Sequence, residues 1–324
     1  MTTASPRKLM VTGCAGFVGS RTAHEAIEAG WDVVGVDSIT DYYDTSLKQR
    51  NLDHLRNRGG PDRFQAIQRD ILDLTEHDLQ GVSAIVHCAG QPGVRSSWSE
   101  FDSYVRMNIL ATNHLLDLVR KSDVGRVVYS SSSSVYGNAS SYPVTEDHPT
   151  NPVSPYGVSK LSAEQLCGAY AETFELPVVS LRYFTVYGPG QRPDMAILRM
   201  IKACETSAEF TVFGDGSHIR DFTFVDDVAR ANLAALGSNK VLPGDVFNVC
   251  GGSSISVKEL IAIVEESCGK RLPLRHAPEQ PGDVRQTGGS NSLAREKLDW
   301  QPRIAIREGV KREVEWFRSP GTEP

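Results

Sequence analysis

Two residues of a possible acid–base pair stand four apart in Tyr156-Gly-Val-Ser-Lys160, a spacing that puts phenol and ammonium on one face of a helix. A phenol with its ordinary pKa of about 10 is a poor base at neutral pH. An ammonium beside it favours the phenolate, as a general base requires. Ser130-Ser-Ser-Ser-Ser134 closes a β-branched run. Open α/β sheets bind ligands at such strand ends, where a hydroxyl can bond a sugar oxygen that cycles between alcohol and ketone. A third group is Thr12-Gly13-Cys14-Ala15-Gly16-Phe17-Val18-Gly19, between a strand pattern and a helix pattern. Its glycines permit a sharp turn and close approach to a pyrophosphate, and the helix N-terminus offers free N–H groups to phosphates. The spacing is Gly-x-x-Gly-x-x-Gly rather than Gly-x-Gly-x-x-Gly. Asp37, at the end of the next strand, gives the turn its meaning. A carboxylate there accepts bonds from both ribose hydroxyls and repels a 2′-phosphate, which points to NAD. Asp70-Ile71 and Ala89-Gly90 follow two later strands, where a nucleotide crossing the sheet edge passes.

The elements that must hold these groups alternate short β-branched runs with longer amphipathic stretches, the pattern of βαβ units and a parallel sheet. Strands are expected at 8–12, 31–37, 64–69, 84–88, 126–130 and 177–182, and helices at 17–29, 100–121 and 156–174. Residues 137–155 read as loop, and from Gly188 the texture becomes turn-rich. The expected fold is α/β: a Rossmann-type doubly wound parallel sheet with a smaller mixed α/β substrate-binding domain. Residues 1–186 form the dinucleotide-binding domain, with 222–249 returning to it, and 187–221 with 250–324 form the second domain. The 324 residues carry 34 basic and 40 acidic side chains, a net charge of −6, with 40% hydrophobic residues. That balance argues against a nucleic-acid partner, and no apolar run is long enough for a membrane span. Residues Met1–Lys8 lack the apolar stretch of a secretory leader, and 319–324 read as a loose tail. The six cysteines form no Cys-x-x-Cys pair, which fits free thiols in the cytoplasm. Cys14 reads as a small turn residue, although a helix N-terminus can lower a thiol pKa. The histidines are dispersed and no metal site is expected. Asp226-Asp227 reads as a helix N-cap.

Taken together, Thr-Gly-x-x-Gly-Phe-Val-Gly, Ser-Ser-Ser-x-x-Val-Tyr-Gly, Tyr-x-x-x-Lys, Arg-Tyr-Phe-x-x-Tyr-Gly-Pro and Arg220-Asp-Phe-Thr-Phe-Val-Asp-Asp227 make the chain resemble the extended short-chain dehydrogenase/reductases of the nucleotide-sugar epimerase and dehydratase group. The resemblance covers nearly the whole length. It implies bound NAD, a catalytic trio of Ser132, Tyr156 and Lys160, Asn108 supporting the nearby helix, and Ser130 and Tyr183 beside the nicotinamide. It also implies a homodimer built on the 100–121 and 156–174 helices. In dehydratases of this group the two positions after the active hydroxyl carry Asp-Glu, whereas here they are Ser133 and Ser134. Two hydroxyls cannot supply the extra acid and base of water elimination, so 4-epimerisation remains.

Thr185, followed by Arg-Pro-Asp-Met195, is similar to UDP-glucuronate 4-epimerases, as are Asp41-Tyr-Tyr-Asp-Thr-Ser-Leu-Lys48, Gly93-Val-Arg95 and Gln280-Pro-Gly-Asp283. An arginine fork matches a carboxylate bidentately, so Arg192 is expected to hold the glucuronate carboxylate with help from Thr185. Arg95 is expected nearer the pyrophosphate, and Arg220, Asp283 and Val212 at the nucleotide. Gly289-Ser290 departs from the Ala-Asp of many relatives. The expected reaction is conversion of UDP-glucuronate to UDP-galacturonate through a 4-keto intermediate, with Tyr156 as base. UDP-glucose 4-epimerase is the nearer alternative, and a non-catalytic dinucleotide sensor one of another class.

Overall fold

The computed structural model describes residues 7–279 and 282–319. The expectations for the leader region before residue 7, for the tail beyond Ser319 and for Gln280 and Pro281 lie outside the described residues.

The chain runs β1 (Lys8–Thr12), α1 (Phe17–Glu28), β2 (Asp32–Asp37), α2 (Thr45–Arg63), β3 (Phe64–Gln68), β4 (Ala84–His87), α3 (Phe101–Tyr104), a π-helical turn (Val105–Leu110), α4 (Ala111–Arg120), β5 (Val127–Ser132), α5 (Pro155–Phe174) and β6 (Val178–Tyr183). It continues through β7 (Thr185–Tyr187), α6 (Ala196–Thr206), β8 (Phe210–Phe213), β9 (Ile219–Phe224), α7 (Val225–Gly237) and β10 (Val246–Val249). The last elements are β11 (Ser254–Ser256), α8 (Val257–Cys268), β12 (Leu274–Ala277), α9 (Ser292–Leu298) and α10 (Ile306–Arg318).

Seven strands form one parallel sheet in the order β10-β6-β5-β4-β1-β2-β3. Every residue of β4, β5 and β6 is buried, as expected of strands covered on both faces. One face buries Ala23, Ile27, Leu55, Val228 and Ala231 from α1, α2 and α7. The other buries Leu115, Leu116, Ala163 and Cys167 from α4 and α5. Strand order reverses between β1 and β4, and ligands bind in the crevice above such a switch point.

Three elements differ from the sequence reading. Thr45–Arg63 is helical, although it carries few apolar residues and breaks at Gly60, where φ is +64°. The helix expected over 100–121 is α3 and α4 joined by the π turn, whose wider spiral aims Asn108 inward. Of the segment 222–249, α7 packs against α1 and β10 joins β6 in the large sheet. β9 instead pairs with β7 and β11, because a strand already flanked on both edges has no free ladder for β10 or β6. Around that small sheet, α6, α8 and α10 enclose a second core of Ile197, Phe210, Phe224, Leu260 and Val310, and β12 pairs with β8. No described helix is long and apolar enough to cross a membrane.

Candidate active site

A cleft of about 900 Å³ lies above the carboxyl ends of the large sheet and reaches across to the small lobe. At its dinucleotide end Gly13 has φ +69°, and a Cβ there would stand 2.8 Å from the Ala89 nitrogen. A Cβ on Gly19 would stand 2.0 Å from the Gly13 oxygen, so helix and turn can close only on glycine. α1 has no side-chain cap and no acidic residue in its first turn. Its first helical bond runs from Ser20 N–H to the Gly16 oxygen, leaving the N–H groups of Phe17, Val18 and Gly19 for an anion. The Asp37 carboxylate is oriented by the N–H groups of Ala15 (3.0 Å) and Ile39 (2.8 Å). Each oxygen keeps a lone pair for a ribose hydroxyl. Ile71, Ala89 and Gly90 line the same cleft. Asp70 does not. Its carboxylate accepts from Leu72 N–H and pairs with Arg106 at 2.7 Å. The cradle and the carboxylate fit NAD.

Further along, Ser154 caps α5 by accepting from Gly157 N–H (3.1 Å), which sets Tyr156 and Lys160 at its mouth. The Ser132 hydroxyl hydrogen-bonds the Tyr156 phenol and accepts from Ser134 N–H (3.2 Å). Burial raises the pKa of Tyr156, while the Ser132 bond and the Arg192 cation lower it. The expected lever was the Lys160 ammonium. In the structure Lys160 is buried with its Nζ 4.5 Å from the centre of the Tyr129 ring, and burial pushes its pKa down to about 8. Arg192 is a second cation whose charge favours the phenolate. Asn108 accepts from Gln91 N–H (2.7 Å) and donates to Ser159 (2.9 Å), tying the loop after β4 to α5. The Tyr183 hydroxyl lies between Ser130 (3.0 Å) and Asn232 (2.5 Å) at the cleft floor.

Thr185, Ser133, Ser134 and Arg192 border the sugar end beside Tyr42 and Tyr43. Arg192 is already bidentate to Asp194, with both contacts at 3.0 Å. At the opposite end Arg95 pairs with Asp283 (3.2 Å) and stacks 4.3 Å from the Phe213 ring centre. Besides Asp70, two expected residues stand apart from the cleft. Val212 is buried in the small-lobe core, because β8 directs it inward. Arg220 bonds the carbonyl of Ile219 (2.8 Å), and Asp283 acts on its charge without reaching it as an ion pair.

Other side chains bear on the sequence reading, and the Asp226-Asp227 pair corrects it. Burial pushes the Cys14 thiol up, against any lowering by the helix end. Asp226 and Asp227 fall inside the first turn of α7 rather than at its cap. Asp226 pairs with Arg21 (2.6 Å), and Asp227 accepts from Arg230 and from the N–H groups of Arg303 and Ile304. Gly289 is required, since a Cβ would stand 2.4 Å from the Phe184 ring. Among the described residues no cluster of three or more His, Cys, Asp or Glu could hold a metal ion.

Sequence reasoning passed over a buried network behind Ser132. Ser131 donates to Glu164 (2.6 Å), which pairs bidentately with Arg182, and Arg182 donates to Tyr136 (2.7 Å). Glu164 follows Lys160 by four positions on the same helix face, and that spacing was the available signal.

Residues 9–250 match the model of the NAD dependent epimerase/dehydratase family. The chain is 38% identical to a UDP-glucuronate 4-epimerase of Thermodesulfobacterium geofontis over 315 residues, covering 95% of each chain. It is 37% identical to an uncharacterized UDP-glucose epimerase of Bacillus subtilis over 316 residues, covering 96% of this chain and 98% of the relative. A crystal structure of UDP-glucuronic acid 4-epimerase from Bacillus cereus, in complex with UDP-glucuronic acid and NAD, superposes with a TM-score of 0.92 at 38% identity, covering 96% of this chain and 99% of that one.

Proposed function

Since this chain belongs to the NAD-dependent epimerase/dehydratase family and is an NAD-dependent nucleotide-sugar 4-epimerase, we propose that its substrate is UDP-glucuronate and its product UDP-galacturonate. The observation that carries the choice of sugar is Arg192, a cation at the sugar end near enough to act on the Tyr156 phenol. Two 38%-identical proteins named for this reaction support it.

Tyr156 is the general base in this reading. As phenolate it takes the proton of the sugar's 4-hydroxyl, and Ser132 bonds the same oxygen as it becomes a ketone. NAD, when bound, would supply the hydride acceptor and donor for C4. Asp37 and the Gly13–Gly19 turn hold the dinucleotide, and Lys160 holds its place under the site. Rotation of the 4-keto sugar between the two transfers presents its other face, while the nucleotide stays anchored near Arg95 and Asp283. Tyr156 then returns the proton. Ser133 and Ser134 offer no second acid–base pair, so water is not eliminated.

Oxidation at C4 of glucuronate creates a β-keto acid, which loses carbon dioxide when its carboxylate bond aligns with the ketone π system. Arg192 and Thr185 hold the carboxylate out of that alignment. Arg192→Ala is therefore expected to weaken UDP-glucuronate binding and to release pentose by-product; unchanged kinetics would contradict the role. The UDP-glucose reading has one observation in its favour: Asp194 already fills the Arg192 fork. Turnover of UDP-glucose with none of UDP-glucuronate would establish it.

The same reading takes the chain as a cytoplasmic homodimer, with 1–186 and the α7–β10 part of 222–249 as the dinucleotide unit and 187–221 with β9 and 250–324 as the sugar-nucleotide unit. Leu110 and Phe101 are exposed along the 101–120 helical run, as are Val158 and Phe174 on α5, and these support the helix-to-helix contact.

A further inference from the structure

Arg192-Pro-Asp-Met195 is a tight turn, closed by Met195 N–H donating to the Arg192 oxygen (3.1 Å), with Pro193 where its fixed φ suits the geometry. Buried Gln191 holds one end, donating to the Val186 oxygen (3.2 Å) and accepting from Leu198 N–H (3.0 Å). Met195 holds the other as the N-cap of α6. On this anchored turn Arg192 and Asp194 close through two parallel bonds of 3.0 Å, Nε to Oδ1 and Nη2 to Oδ2. The pair is two residues apart, so closing it orders little additional chain. Asp194 covers the Nε/Nη2 edge of the guanidinium, one of the two edges at which a carboxylate binds bidentately. Arg192 and Asp194 line the cleft together with Tyr42, Tyr43 and Thr185.

We propose that Asp194 is a specificity-determining residue: an internal carboxylate that occupies the Arg192 fork, is displaced by an acid sugar, and stays in place beside a neutral one. The proposal rests on the glucuronate reading of the site. With the pair closed, the wall facing a 6-hydroxymethyl group is nearly neutral, and a neutral sugar binds without disturbing it. An acid sugar that takes the same edge must first break the internal pair, so Asp194 weakens binding of acid sugars selectively.

The test is calorimetric titration of UDP-glucuronate and UDP-glucose into NAD-loaded Tyr156→Phe protein, with and without Asp194→Asn. The expected result is a Kd for UDP-glucuronate about fivefold lower with Asp194→Asn, the scale of freeing one partly exposed pair, with UDP-glucose unchanged. In otherwise wild-type enzyme, Asp194→Asn should also move the acid limb of kcat to lower pH, because uncompensated Arg192 favours the phenolate. The affinity gain should vanish on an Arg192→Ala background. Equal or weaker UDP-glucuronate binding with Asp194→Asn overturns the proposal alone, as does a gain shared by both sugars or one that survives Arg192→Ala. Failure of all these proteins to bind UDP-glucuronate overturns the glucuronate reading and this proposal with it.

Discussion

In the proposed reaction one phenol, Tyr156, must ionise, and its neighbours act on it in opposite directions. Burial disfavours the Tyr156 phenolate; the Ser132 hydrogen bond and the Arg192 charge favour it. Removing either helper raises the pKa, so the acid limb of the kcat–pH profile should move to higher pH in Ser132→Ala and in Arg192→Met. An unmoved limb in Arg192→Met would remove that cation from the electrostatics of the base. Tyr156→Phe should retain NAD and lose at least about 100-fold in kcat, at the lower end of what general-base catalysis contributes. Asp221 gives a separate pH signature, in stability. Burial raises its carboxyl to about 6, against donors from Gly251 (2.7 Å) and Gly289 (3.4 Å). Between its ordinary pKa of about 3.9 and the raised value, the folded state binds the extra proton, so this group's contribution to stability falls as pH rises through that window. Relative to Asp221→Asn, wild-type stability measured by denaturant should therefore decline from pH 4.5 to 6, by up to about 1.4 kcal/mol per pH unit. A flat difference would contradict the raised pKa.

Helix α5 and strands β5 and β6 hold the reacting groups through the Glu164–Arg182 pair, whose side chains are 6% and 7% exposed. Glu164→Ala leaves the Arg182 cation buried without its partner, a change that costs about 3–5 kcal/mol. Denaturant unfolding should show that loss, and Glu164→Leu with Arg182→Met should recover most of it. This scale also shows how far the sequence could be read. β1, α1 and β2 were legible within a residue, because apolar runs and the Gly13–Gly19 turn mark their ends. Tyr156 and Asp37 were legible for the same reason: each stands at an element boundary that local pattern defines, whereas Ser132 was singled out of Ser130–Ser134 only by the family resemblance. α2 was hidden, since only a few leucines mark its buried side and Gly59-Gly60-Pro61 signals a turn. The π turn was hidden as well, because 3.6-residue periodicity continues through it in sequence while its hydrogen bonds shift. Pairings between distant segments, such as Arg95 with Asp283 or Ser131 with Glu164, leave no local periodic trace.

Across the whole molecule, the lobes meet over the cleft, and Arg95 crosses it to Asp283 and the Phe213 ring. Exposed Leu110 and Val158 lie on the helices assigned to the dimer contact. Leu110→Glu should halve the mass measured by light scattering, and an unchanged monomer mass in the parent protein would remove the dimer. Folding brings a dinucleotide cradle, one phenol and one arginine to a single cleft, and the central claim is that they move a hydrogen from C4 to the cofactor and back. The most direct measurement is incubation of the NAD-loaded enzyme with UDP-glucuronate in D₂O, with the product read by NMR. The account predicts UDP-galacturonate with protium retained at C4. Deuterium at C4, a pentose as the main product, or no conversion of the acid sugar would contradict it.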